Sequence, residues 1–291
     1  MVFETVVVGV DGSEGSRRAV SWAANQLPSR SGRLIAVHAY HPPPGSEMFG
    51  IDPGHKAKAV TEMTEQLESD WTEPAREVGV EPETRLLEGA AGRVLERVAT
   101  EVGADTVVLG HDEGRFTRYL LGSTAAKLIY RGTHPVVVVG AGHRTGPLSG
   151  PIVVGCAEPE QASVLLNWAI DIAEERGLEV VALRASNPDP WIEGYYPIDI
   201  SALQEAARES LHRTVAEVVE SRSTEVPVED KVVEGYALRS LEEASDTASL
   251  VVIGSHHRSE VGAFLAGSVT NHLPTLAHCP VAVIPVAALE A

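Results

Sequence analysis

Val6-Val7-Val8-Gly9-Val10 is a short β-branched run that ends in Asp11-Gly12-Ser13, after which a polar segment opens an apolar-periodic helix. A continuous apolar run of this kind reads as a buried parallel strand. Asp11 then sits in a turn at the strand's carboxyl end, and Ser13 suits the start of the helix. Ligands collect at that edge of an open α/β sheet, so the Asp11 turn is the first candidate for chemistry. Other constellations are poorer. His256, His257, His272 and His278 lack the compact spacing with a thiolate or carboxylate that a zinc site needs. Cys279 reads as an inert core thiol, because nothing near it would lower its pKa. No Walker A sequence, no Rossmann G-x-G-x-x-G after a strand and no G-x-S-x-G elbow occurs. No catalytic set is assigned.

The elements that must hold the Asp11 turn alternate between strand and helix. Residues 4–10 form a strand, followed by a helix with Ala19, Val20, Ala23, Ala24 and Leu27 on one face. Leu34–His38 is a second strand, and the Pro- and Gly-rich stretch from His41 to Gly54 is an irregular loop. One long helix is expected from about Lys56 to Val78, with Val60, Met63, Leu67, Trp71 and Ala75 at helical spacing. Strands at 84–88, 106–110 and 136–139 enclose helices with Val94, Leu95, Val98 and Val102, and at 122–131. Strands separated by helices imply right-handed crossovers and a parallel sheet covered on both faces.

The plan then repeats. Gly140–Gly150 lacks periodicity and reads as a linker, and Ile152-Val153-Val154-Gly155 restates Val6–Gly9. Trp168, Gly235, Leu250–Gly254 and Gly267-Ser268 answer Trp22, Gly89, Thr106–Gly110 and Gly122-Ser123 at an offset of about 145 residues, an ordered series that points to internal duplication. The expected division is a first α/β domain at 1–141, a linker at 142–150 and a second α/β domain at 151–291.

A chain of 291 residues, 44% hydrophobic and 22% charged, fits a soluble globular protein of two domains of ~150 residues each. Its net charge of −18 argues against a nucleic-acid or anionic-membrane surface. The two cysteines, Cys156 and Cys279, make no disulfide framework and are expected to be reduced and buried. The N-terminus enters a strand without a basic n-region or cleavable apolar core, and no apolar run approaches the ~20 residues of a membrane helix. A cytoplasmic location is expected.

Taken together, V-G-V-D-G-S at 8–13, the Val37-His38 strand end, the glycines with Gly122-Ser123, and the final-strand signatures His278-Cys279-Pro280-Val281 and His134-Pro135-Val136 resemble the universal stress protein family in its tandem form. The resemblance implies, for each half, an open parallel five-stranded sheet of order 3-2-1-4-5 with helices on both faces. It also implies ATP, alone or with magnesium, as a regulatory ligand in a stress response rather than fuel for catalysis. Asp11, with Gly12 and Ser13, would hold the ribose or phosphate side. Backbone at the end of the second strand, at Ala39, would meet the adenine. Gly110, Gly114, Gly122, Ser123 and Thr124 would surround the phosphates, with Gly254, Gly267 and Ser268 as their counterparts. Glycine leaves backbone N–H groups accessible, a helix start favours an anion, and a serine hydroxyl adds a donor. Pairing through the final strands, within the chain or as a homodimer, is a further implication.

The halves differ in how closely they follow the family motif G-x2-G-x9-G-[S/T]. Gly110 to Gly122 is one position short, and Glu113 holds the second glycine's place beside Gly114, with Arg115 and Arg118 as neutralising cations. Gly254 to Gly267 keeps the spacing, but Ala157 aligns with Asp11 and His257 with the second glycine. The first half is therefore the expected nucleotide site and the second a degenerate copy. The alternative is a stress-related interaction module that binds no nucleotide.

Overall fold

The computed structural model describes residues 3–28, 32–41, 53–112, 121–186, 200–255 and 268–286. The chain forms two compact units, one of Phe3–Pro147 and the other beginning at Leu148. The first unit runs β1 (Thr5–Gly9), α1 (Glu14–Gln26), β2 (Arg33–Tyr40), α2 (Pro53–Glu68), α3 (Glu73–Glu77), β3 (Glu83–Glu88), α4 (Ala91–Val102), β4 (Thr106–Gly110), α5 (Ser123–Arg131) and β5 (Val136–Val139). Its strands pair in parallel in the order β3-β2-β1-β4-β5. β1 is the central strand: Val7 pairs with Ile35 on one side and Val107 on the other. Because both its faces are covered, Val6, Val7 and Val8 are all fully buried, which is why β1 reads as a continuous apolar run. α1 packs with α3 and α4 with α5, the two pairs covering opposite faces. Trp22 of α1 is fully buried and meets Phe3 edge-on, with ring centroids 5.5 Å apart.

The second unit repeats the architecture as β6 (Ile152–Gly155), α6 (Pro159–Arg176), β7 (Val180–Ser186), α7 (Ile200–Arg222), β8 (Val228–Glu234), α8 (Ala237–Ala244), β9 (Leu250–Ser255), α9 (Ser268–Leu276) and β10 (Val281–Pro285). Its parallel order is β8-β7-β6-β9-β10, the same 3-2-1-4-5 arrangement. Gly89 and Gly235 occupy equivalent places. Both have positive φ (142° and 134°), and each donates its N–H to the last residue of a second strand, Tyr40 or Ser186. A side chain is strained in that conformation, which accounts for the repeated glycine.

The expected single helix from Lys56 to Val78 is instead two, α2 and α3, separated by a turn at 69–72. Buried Thr72 donates its hydroxyl to the Leu67 carbonyl at 2.7 Å. Pro74 suits a new helix start, and Arg17 of α1 holds Asp70 and Glu73. Leu67 and Ala75 are buried as their spacing implies, but they belong to different helices. The stretch read as a linker is tied down at both ends. Gly140 N–H donates to His143 Nδ1 at 2.9 Å and Gln26 Nε2 to the Gly146 carbonyl at 3.0 Å, while Ser249 Oγ reaches the Gly150 carbonyl at 2.7 Å. The Pro-rich stretches 42–52 and 187–199, with Trp191, Tyr195 and Tyr196, lie outside the described residues. Among the described residues no helix is long and apolar enough to cross a membrane.

Glu96 joins α4 to the turn before β5. Its Oε1 accepts from the Thr133 amide and hydroxyl, both at 2.8 Å, and from His134 Nδ1 at 3.1 Å. Burial pushes this carboxyl up, but the hydrogen bonds outweigh it and hold the group below its usual 4.5. Its stabilisation is therefore fully present above pH 4.5 and lost as pH falls through the lowered folded value. Glu96→Ala should cost about 1–3 kcal/mol at neutral pH and flatten the acid limb of stability. Denaturant midpoints measured against pH check this; an acid limb as steep as wild type contradicts it.

Candidate functional site

The Asp11 turn is built by local hydrogen bonding. Asp11 Oδ1 accepts from the Ser13 amide at 3.0 Å and the Ser13 hydroxyl at 2.6 Å. Ser13 Oγ accepts in turn from Ser16 N at 3.2 Å, so Ser13 is the N-cap of α1 and Asp11 orients the cap. Burial raises the Asp11 pKa. The Ser13 hydroxyl and amide, the Ser16 hydroxyl and the nearby His38 imidazole outweigh that and hold it below 3.8, so the carboxylate is ionised at neutral pH. The Val10 carbonyl accepts from His38 Nδ1 at 2.7 Å, which puts a ring proton on that nitrogen. Gly12 bridges the turn at φ +81°.

Asp11 and Ser13 line a cleft of about 320 Å³ at the carboxyl edge of the first unit, together with His38, Ala39, Gly110, Gly122, Ser123 and Thr124. Leu95, Leu109 and Val138 give it an apolar side. Its volume falls in the ~300–1,000 Å³ range of small-molecule sites. The expected first-half residues Asp11, Gly12, Ser13, Ala39, Gly110, Gly122, Ser123 and Thr124 thus meet at one place, Gly12 within the turn and the others on the wall. Gly114, like Glu113, Arg115 and Arg118, lies outside the described residues.

Two of these glycines have different causes. A Cβ on Gly110 would collide with the Gly15 carbonyl, so Gly110 is required by the first turn of α1 resting on β4. At Gly122 nothing among the described residues lies within 4 Å of a Cβ, and its φ of −57° suits any residue. Neither its dihedrals nor packing against the described residues demands glycine at 122. α5 starts immediately after it with no side-chain cap, and the opening N–H groups of a helix have no intrahelical partners. With the positive dipole end they make this wall attractive to an anion. An anion-accepting helix start and an ionised carboxylate in the same cleft suit a ligand with one anionic and one hydroxyl-bearing part.

Sequence reasoning missed Arg18 and Trp71 as site neighbours and named His38 only as part of a strand-end signature. Arg18 Nη2 donates to the His111 carbonyl at 3.1 Å and Asp112 Oδ1 at 2.8 Å, latching α1 to the end of β4. The Val37-His38 strand end signals His38; Trp71 is disguised as a core position of a helix.

The second unit differs at matching places. Ala157 stands where the first unit has Asp11, and α6 opens at Pro159 after Glu158, without a side-chain cap. The side chain of buried Gln161 covers Gly254, so that a Cβ there would collide with Nε2. Thr270 Oγ1 donates to the Gly254 carbonyl at 3.3 Å. Gly267, His256 and His257 lie outside the described residues, and α9 begins at Ser268. Burial pushes the Cys156 and Cys279 thiols up to about 12, so neither is a thiolate at neutral pH. Among the described residues no group of three or more His, Cys, Asp or Glu side chains is placed to hold a metal ion.

Residues 3–140 and 149–285 each match the model of the universal stress protein family. A universal stress protein of Mycobacterium tuberculosis, Rv2005c, is 31% identical over 288 residues, covering 96% of each chain. One from Mycolicibacterium smegmatis is 29% identical over 292 residues, again covering 96% of each chain. A solved universal stress protein of Archaeoglobus fulgidus superposes with a TM-score of 0.72 at 15% identity, covering 98% of this chain and 100% of its own; this is a likeness of fold.

The two glycine environments separate in stability. Gly12→Ala meets both the positive φ and the Trp71 ring, 2.7 Å from the Cβ position, and should cost about 1–3 kcal/mol. Gly122→Ala meets none of the described residues and should stay within about 0.5 kcal/mol of wild type. Urea unfolding of both variants checks the pair; equal losses contradict the assignment.

Proposed function

This chain belongs to the universal stress protein family, and on that premise we propose that its first unit binds ATP as a regulatory ligand in a stress response. The observation that carries the reading is Gly122, a glycine that neither its dihedrals nor packing against the described residues requires, at the start of α5 in the same cleft as Asp11. A phosphate approaching the α5 amides needs the space that a Cβ would fill. In this reading Asp11 accepts from the ribose hydroxyls, the backbone near Ala39 faces the adenine, and Gly122, Ser123 and Thr124 take the phosphates. Gly110 supports the cleft from beneath α1. Ionised Asp11 is held as an acceptor by Ser13 and Ser16.

The second unit is read as a partner that holds no nucleotide. Ala157 supplies no carboxylate, and Gln161 fills the space over Gly254. Those two residues also favour the alternative, an interaction module without a nucleotide, should the first cleft prove empty. The proposed role is that of a held signal; magnesium-dependent ADP release above a protein-free control would instead mark a hydrolase.

Calorimetric titration of the full chain with ATP tests the reading. Asp11→Ala removes a charged acceptor worth ~1.5–3 kcal/mol, so affinity should fall roughly tenfold to a hundredfold with the fold intact. An unchanged affinity contradicts the role of Asp11. Absence of binding heat in wild type at millimolar ATP overturns the proposal in favour of the interaction module.

A further inference from the structure

Trp71 is outside the cleft lining, yet it sits on the turn that carries the cleft's carboxylate. Its Nε1 and Cε2 lie 2.7 Å from the position of a Gly12 Cβ, so the indole is seated against the backbone of residue 12. The same ring meets His38 edge-on, with centroids 5.0 Å apart and planes at 67°. His38 is itself bonded through Nδ1 to the Val10 carbonyl. The Asp11 turn is thus fixed at three successive points: Val10 by His38, Gly12 by Trp71, and Ser13 by its contacts with Asp11 and Ser16.

The platform beneath the indole is firm. Arg17 of α1 donates to the Asp70 carbonyl, to Asp70 Oδ1 at 2.9 Å and to Glu73 Oε2 at 3.3 Å, bracketing Trp71 in sequence. Buried Thr72 is tied to the Leu67 carbonyl. This clamp explains why the chain leaves the helix between α2 and α3: a continuous helix would not place residues 70–73 in this turn against α1. The helix is broken where the Trp71 ring meets Gly12 of the Asp11 turn.

We infer that Trp71 is a positioning residue for Asp11, holding the turn through Gly12 in the geometry that reads a ligand's sugar hydroxyls. The inference rests on the nucleotide reading of the first cleft and adds to it a determinant of sugar selectivity remote in sequence from the glycine motif. Without the ring, the positive-φ turn loses the wall that confines it. Asp11 keeps its charge and its bonds to Ser13, but the turn that carries both is no longer held in place at Gly12, and discrimination by a hydrogen bond requires that placement.

The experiment compares ATP with 2′,3′-dideoxy-ATP by calorimetry on the full-length wild type, Trp71→Ala and Trp71→Phe. Wild type should prefer ATP by about tenfold or more, the worth of a hydrogen bond to a charged group. Trp71→Ala should bind both nucleotides with a ratio close to one, and Trp71→Phe should recover most of the preference. Simple destabilisation lowers the competent fraction for both ligands equally and leaves the ratio untouched. A wild-type ratio in Trp71→Ala therefore overturns the inference while leaving the nucleotide reading in place. If Trp71→Ala does not fold, Trp71→Leu carries the same expectation and the same refutation. A wild-type chain that binds neither nucleotide defeats the premise, and the inference falls with it; one that binds both equally defeats sugar reading by Asp11.

Discussion

The first turn of α1 rests on the end of β4 so closely that residue 110 can carry no side chain. That approach sets the geometry of the first unit's carboxyl edge. β1 and β4 are adjacent in the parallel sheet, and α1, which follows β1 through the Asp11–Ser13 turn, is seated on β4. Arg18 reinforces the seat by reaching from α1 to His111 and Asp112. The cleft lies above this seat, walled by the Asp11 turn, the end of β2 and the start of α5. The family motif's first glycine is thus a packing device in this chain, whereas Gly122 is free of close contacts with the described residues.

The same contact shows how the two units diverged. Position 161 answers Gly15, and its glutamine side chain lies over Gly254. The first unit has a backbone-on-backbone contact where the second has a side-chain-on-backbone contact, and Ala157 stands in the place of the Asp11 carboxylate. The strand order is common to both because it depends on buried apolar strands such as Ile152–Val154 and Leu250–Ile253, whereas the residues at the carboxyl edge differ.

Much of this was legible in the residues. Central strands announce themselves as unbroken valine and isoleucine runs because burial on both faces removes any alternation. Ser13 was legible as a cap, and the repeated strand order came with the family resemblance. The break between α2 and α3 was hidden, because Leu67, Trp71 and Ala75 keep helical spacing across a turn in which Trp71 faces Gly12. The unlike causes of Gly110 and Gly122 were hidden too, since a motif records glycine but not what a Cβ would meet. The Arg18–Asp112 latch joins residues far apart in the chain, and no local pattern marks it.

The central claim is that one unit of two holds an adenine nucleotide, and stoichiometry tests it most directly. Native mass spectrometry of the full-length chain at an ATP concentration that just saturates it should show one nucleotide per chain, and a chain carrying Asp11→Ala should show most molecules empty at the same concentration, in line with a roughly tenfold to hundredfold weaker affinity. Two nucleotides per chain would contradict the reading of Ala157 and Gln161; none on the wild type would contradict the nucleotide site itself.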